Sequence, residues 1–459
     1  MTEVLFSFDT EDFTSNEAAD AIRDLANLLR EEGVRGNFCV VGLLARQLSA
    51  WGRDDVKEAL RHHEIQFHSY GHTLHPLINE YTDLEDFSSA HGEFLRREGE
   101  GLDLLKEHLG VKDVYAACPP GQSFSYVAFY GYPEMGIPAY IDTVVDSPAG
   151  GLWFCNGLHM QYLISLESMF YGGGKTIPEV LNWFRTRRRA VIYTHPNRVL
   201  FREFWDVLNY DKENLRLFGD WLPCEKEPQE RVAQFYSGLR ELIRAMEADG
   251  DFTFTTVSRV LEAENQKPRR VIRRDDIPGL REALRGQINP VGRFCVADIL
   301  QAAVHFLLTD EDIFYPGKAY GFLYEPWGIT VPVMVTAEEV RALAKTLDFS
   351  AFLPPQIGPL GPADFLAAAL EVLCGAGEAK LTPQPQQIDL DPYTKLRDLR
   401  LRGSWRHSDA LGNLTEMTLV LQGTPRIFRL HFPLYSLAMS RIFSVFPCVS
   451  SAADCRRAQ

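Results

Sequence analysis

The sequence lacks any close pairing of cysteines. Its eight cysteines, Cys39, Cys118, Cys155, Cys224, Cys295, Cys374, Cys448 and Cys455, are scattered over 459 residues without a C-x-x-C unit. That spacing argues against a disulfide framework or a zinc knuckle and favours reduced thiols. Positive charge is also scarce, with 47 Lys and Arg against 62 Asp and Glu and a net charge of −15. No nucleic-acid partner is expected, because phosphate neutralisation needs a basic stripe. The short basic runs at 185–189 and 267–274 fit solvated surface or linker. No uninterrupted apolar stretch approaches the ~20 residues of a membrane-spanning helix. No secretory leader is expected, since a strand-like run begins at Val4 and carries acids by Asp9. These absences together lead to the expectation of a cytoplasmic protein.

What remains is the composition of a folded chain. Hydrophobic residues make up 46%, enough at this length to build a core without disulfide or metal staples. From residue 4 to about 264, short β-rich runs alternate with amphipathic helices. Strands are expected at 4–8, 37–41, 64–67, 114–117, 139–141, 190–193 and 252–254. Ile22, Leu25, Leu28 and Leu29 fall at helical spacing after a Ser15 cap, and Gly33 ends that helix. A longer helix is expected over 84–109. Such alternation indicates an α/β fold with a largely parallel sheet, open or closed into a barrel. Ligands in such folds sit at the carboxyl ends of the strands.

The polar segment 265–278 is expected to link this domain, 1–264, to an accessory α+β region, 279–459. That region should carry helices at 297–308, 338–347 and 363–373, then a hairpin with strands at 417–421 and 427–432.

Four segments of the first domain concentrate chemistry where strands should end. FSFDTED (6–12) places Asp9, Glu11 and Asp12 together, a costly cluster unless a cation or shared proton relieves the repulsion. FHSYGH (67–72) sets His68 and His72 four apart after an apolar strand. Two imidazoles converging with a carboxylate would hold a divalent ion and leave a position open, as catalytic zinc requires. YTHP (193–196) delivers His195 at a strand end, and AACPPGQSFS (116–125) is a Pro/Gly-rich loop able to offer backbone N–H groups. Singly, each pattern has a plain structural explanation: a surface histidine pair, a core histidine, a helix-capping acid. Their order within one α/β domain carries the functional reading.

That order resembles the NodB-type polysaccharide deacetylases, over residues 3 to about 264. FSFDTED is similar to the family's first motif in a D-x-E-D form, and HEIQFHSYGH (63–72) to its second. GNFCVVG (36–42), VIYTHP (191–196) and FTFTTVSRVLE (252–262) resemble further family segments. The resemblance implies a distorted (β/α) barrel of the NodB type. It also implies Asp9 as general base, His195 as general acid and a divalent metal, zinc by expectation, on His68, His72 and a carboxylate. Asp12 aligns with the family's second aspartate and is the expected ligand, with Glu11 the alternative. Pro120 and Gly121 are expected to contact substrate.

The implied activity is removal of an N-acyl group, acetyl or formyl, from an amino sugar or a glycan precursor, including a lipid-linked one. The alternative is a catalytically impaired module that binds glycan or protein. Its main support is that the family's R-x-P triplet reads Cys118-Pro119-Pro120 here, removing the arginine that orients the base.

Overall fold

The computed structural model describes residues 1–383 except 75, 83–86, 121–125, 142–149, 155–156, 210–215, 217–219, 267–269, 286–290, 292–293, 295, 318–327 and 352. The hairpin expected at 417–432 lies outside the described residues.

Ten strands form one sheet: β1 (Thr2–Thr10), β2 (Asn37–Val40), β3 (Glu64–Phe67), β4 (Ala116–Ala117), β5 (Ala139–Ile141), β6 (Leu152–Phe154), β7 (Gly157–Met160), β8 (Tyr162–Ser165), β9 (Arg189–Thr194) and β10 (Phe252–Phe254). Their spatial order is β6-β7-β5-β4-β3-β2-β1-β9-β8, with β10 also on β1. One flank of β1 pairs with β9 over Glu3–Phe8. The other pairs with β10 at Thr2–Val4 and then with β2 at Ser7–Thr10. These pairs are parallel, whereas β6 and β7 are antiparallel. The sheet curls until the residues before β6 reach β9. There Arg189 donates to the Gly150 carbonyl at 3.2 Å, and a Cβ on Gly150 would lie 2.1 Å from that of Arg189. The result is the expected (β/α) barrel, nearly closed and flanked by helices.

Strand alternation sorts the side chains between two cores. Val4, Phe6 and Phe8 face outward into the large core shared with the helices, such as Ala18–Glu31, whose Ile22, Leu25 and Leu29 are buried. Each such side chain contributes about 1.5–3 kcal/mol by leaving water. Leu5 faces the barrel interior with Cys39, Cys118, Ile141, Met160, Tyr162 and Val191. Val257, Val260 and Leu261 of the helix Val257–Asn265 close that interior core. Ser258 of this helix donates from its backbone N to Glu64, the first residue of β3, at 3.1 Å. The helix therefore plugs the amino ends of the strands and leaves the carboxyl ends for a site.

One local detail differs from the sequence-based expectation. The first helix starts at Ala18 with Glu17, not Ser15, as N-cap, because Asp12 and Ser15 form a turn before it. The long helix Phe87–Leu109 approaches β3 so closely that a Cβ on Gly101 would stand 2.7 Å from Tyr70 Cα and 2.9 Å from the Phe67 ring. Glycine is required there to let two backbones meet.

Beyond the helix ending at Asn265, Ile272 enters a separate core with Ile299, Leu300, Phe365 and Leu370. Helices Val296–Leu308, Ala337–Ala344 and Pro362–Leu373 match the three expected there. The antiparallel pair Val333–Thr336 and Glu378–Leu381 was not expected. Among the described residues, no helix is long and apolar enough to cross a membrane.

Candidate metal and acid–base site

The carboxyl ends of β1, β3 and β9 converge at the open end of the barrel. His68 extends β3 by one residue, its N–H donating to the Val40 carbonyl at 3.0 Å. A turn follows in which Ser69 and His72 adopt φ of 71° and 55°. Left-handed backbone outside glycine costs about 1–3 kcal/mol and persists only where its surroundings enforce it. Here Ser69 Oγ accepts from His72 N at 3.0 Å, while the Ser69 and Tyr70 carbonyls accept from Gly42 and Leu43 at 3.0 Å each. The strained turn is what brings His72 back beside His68.

Glu11, His68 and His72 each offer a ligand atom, and these atoms all lie within 4.8 Å of one another. His72 Nε2 stands 2.8 Å and His68 Nε2 3.6 Å from Glu11 Oε2. All three residues are buried, yet Glu11 Oε1 and both ring nitrogens of His68 lack hydrogen-bond partners among the described residues. Burial opposes ionisation of Glu11, but His72 and His68 outweigh it and hold the carboxyl far below its usual range. On the outer side, His72 Nδ1 lies 3.1 Å from Thr73 Oγ1, whose hydroxyl donates to Asp206 at 2.8 Å. Such a carboxylate-linked partner fixes the ring's orientation and leaves Nε2 facing inward.

Asp12 is outside this group, in contrast to its expected place as third ligand. Its Oδ1 accepts from Thr14 N at 2.9 Å, Thr14 Oγ1 at 2.7 Å and Ser15 N at 3.1 Å. Burial, outweighing these bonds, pushes its carboxyl up to about 6. The reason is strand geometry. Asp9 points into the barrel, and as the chain leaves β1 at Thr10 it is Glu11 that turns toward β3, while Asp12 folds back to close the next turn.

Asp9 and His195 meet beside the triad, with His195 Nε2 3.7 Å from Asp9 Oδ2. Among the described residues no arginine pairs with Asp9. Tyr162 donates to Asp9 Oδ1 at 2.5 Å instead. Burial raises the Asp9 carboxyl above its ordinary value, against the lowering effects of His68, His195 and Tyr162. His195 follows β9 as N-cap of the helix Pro196–Leu200. Its backbone N–H donates to Glu167 Oε1 at 2.6 Å, and its Nδ1 lies 3.0 Å from the same oxygen. Burial disfavours its charge, but Glu167, with Glu11 and Asp9, pushes it up to about 10. These carboxylates favour the protonated imidazole.

Cys118 directly follows β4, at the position where the resembled motif has an arginine. Its Sγ is 2.7 Å from Cys39 Sγ, and both thiols with Asp9 form a second cluster whose ligand atoms lie within 4.8 Å of one another. Burial, then Cys39 and Asp9, push the Cys118 thiol well above its usual range. Pro120 is buried just beyond β4. Gly121 lies outside the described residues.

Glu167 and Asp206 carried no sequence signal, and Tyr162 offered only its aromatic ring as a candidate for lining a cleft. Each acts through a partner on a distant strand or turn, and none belongs to a motif.

No family model matches this chain, and no curated protein matches it. Solved structures do resemble it. One is described as a putative polysaccharide deacetylase from Mycobacterium smegmatis, with 20% identity, TM-score 0.38, and 59% of this chain and 94% of that one covered. Another is a CE4 esterase from Streptococcus mutans, with 15% identity, TM-score 0.33, and 55% and 85% covered. A family 4 carbohydrate esterase from Streptomyces lividans shows 12% identity, TM-score 0.33, and 56% and 92% covered. At such identities and scores the chemistry has to be argued from the side chains.

Proposed function

We propose that this chain is a divalent-metal-dependent hydrolase that removes an N-acyl group, acetyl or formyl, from an amino sugar or glycan precursor. The observation that carries this reading is the buried Glu11–His68–His72 triad with its unpartnered Oε1, Nδ1 and Nε2 atoms. Burying polar atoms without partners costs about 1–3 kcal/mol each, and a cation bound there relieves that cost. A carboxylate with two imidazoles suits zinc. A bound ion supplies Lewis acidity and makes water acidic enough to act as a nucleophile near neutral pH.

The chain's own residues divide the remaining work. Thr73 and Asp206 orient His72. Tyr162 occupies Asp9 Oδ1 and leaves Oδ2 to accept a proton from the attacking water. Glu167 keeps His195 protonated, so the imidazolium can donate to the departing amine. Contact with the substrate is assigned to Pro120 and Gly121 on the resemblance alone. The motif order gives the substrate class.

The test is amine release from N-acetylated glucosamine oligomers by full-length protein reloaded with zinc to about one ion per chain. Activity is expected, with loss in Asp9→Asn and His195→Ala. Absence of bound metal in the purified and zinc-supplied protein, or unchanged metal content in His68→Ala/His72→Ala, would refute the mechanism.

A further inference from the structure

Cys39 and Cys118 are far apart in sequence, yet their sulfurs lie 2.7 Å apart in the barrel interior. Cys39 is on β2, and Cys118 directly follows β4, its N–H donating to the Phe67 carbonyl of β3 at 2.8 Å. β3 therefore runs between them. Strands two apart are separated by about 9–10 Å in a flat sheet. Barrel curvature brings them closer, and both thiols are free rather than joined as a disulfide. An ion spans a wider gap, because two metal–sulfur bonds of about 2.3 Å hold their sulfurs roughly 3.7 Å apart. Small side-chain rotations reach that spacing.

Asp9 supplies a third donor from β1. Its exposure is 6%, against 0% and 1% for the two cysteines. Two hydrogen bonds hold the group from outside: Tyr162 donates to Asp9 Oδ1, and Ser7 Oγ lies 3.4 Å from Cys39 Sγ. Outer bonds of this kind orient ligands at metal centres. The His195 ring, 3.7 Å from Asp9, supplies positive charge to balance the anionic donors. We propose that Asp9, Cys39 and Cys118 form a second cation site, separate from Glu11–His68–His72, for a thiophilic divalent ion such as zinc. Because Asp9 is shared, filling this site removes the base invoked above. That consequence rests on the proposed function, whereas the site itself does not.

Cobalt(II) serves as the probe, added to chelator-treated full-length protein under a thiol-free reductant. The wild type should take up about two ions per chain and show a sulfur-to-cobalt charge-transfer band in the near ultraviolet. Cys39→Ser/Cys118→Ser should bind about one ion without that band. His68→Ala/His72→Ala should keep the band and lose the other ion, so failure of the catalytic site stays distinguishable. X-ray absorption on the zinc-loaded wild type should find sulfur at about 2.3 Å, which covers the case of a variant that does not fold. Absence of both the band and the sulfur shell overturns the proposal. So does a band that persists in the double serine variant, or a Cys39–Cys118 peptide pair recovered two hydrogens lighter as a disulfide.

Discussion

Replacing Glu167 by glutamine removes one buried negative charge from His195 while leaving an amide oxygen to accept the His195 backbone N–H. The wild-type carboxylate Oε1 sits 2.6 Å from that nitrogen and 3.0 Å from Nδ1. A hydrogen bond to a charged group contributes about 1.5–3 kcal/mol. One pKa unit corresponds to about 1.36 kcal/mol. His195, held at about 10, should thus titrate about 1–2 units lower in Glu167→Gln. The sign for stability follows from linkage. The folded-state value lies above the ordinary 6.5, so protonation favours the fold. That contribution is complete below about pH 6.5 and is lost as pH rises through about 10. The stability gap between wild type and variant should therefore narrow on the alkaline side. Carbon-edited NMR of the histidine rings in chelator-treated protein gives the titration, and urea unfolding at about pH 7 and about pH 10.5 gives the gap. An unchanged His195 titration, or a gap that widens with pH, refutes the reasoning.

Asp206→Asn should weaken zinc affinity about 10–100-fold through the Thr73–His72 link, read by competition with a chromophoric chelator. Glu11→Gln should abolish zinc binding at the triad. Asp12→Ala should leave it in place and cost about 0.5–2 kcal/mol of stability through the lost turn bonds; calorimetry of both variants decides between the two acids. Gly101→Ala, whose new Cβ would press on Tyr70 and Phe67, should destabilise the protein by about 1–3 kcal/mol. Urea midpoints measure that cost, and a neutral result would mean the helix Phe87–Leu109 can shift.

Much of the barrel was legible because its signals are local. The run at 4–8 and the helical spacing of Ile22, Leu25 and Leu29 depend on a period of two or 3.6 residues, and the elements formed there. The histidines were legible for the same reason, since His68 and His72 share one turn and His195 ends one strand. The choice between Glu11 and Asp12 was not. Both are acids at a strand end, and which one faces β3 depends on where β1 stops pairing. Ser15 failed as a cap because the chain turns once more through Asn16 and Glu17 before the helix begins at Ala18. The pair Val333–Thr336 and Glu378–Leu381 escaped because short strands separated by two helices leave no periodic mark.

The sequence by itself determined the alternation of strands and helices, the barrel it implies, and the types of side chain delivered to its open end. Only the tertiary structure decided which of them meet. Glu11 joins His68 and His72, Tyr162 reaches Asp9 where the resembled motif has an arginine, Glu167 charges His195, and Cys39 faces Cys118. These partners lie tens to more than a hundred residues apart along the chain. Their contact is set by the register of β1 with β2 and β9 and by the curl of the sheet, which no local run of residues specifies.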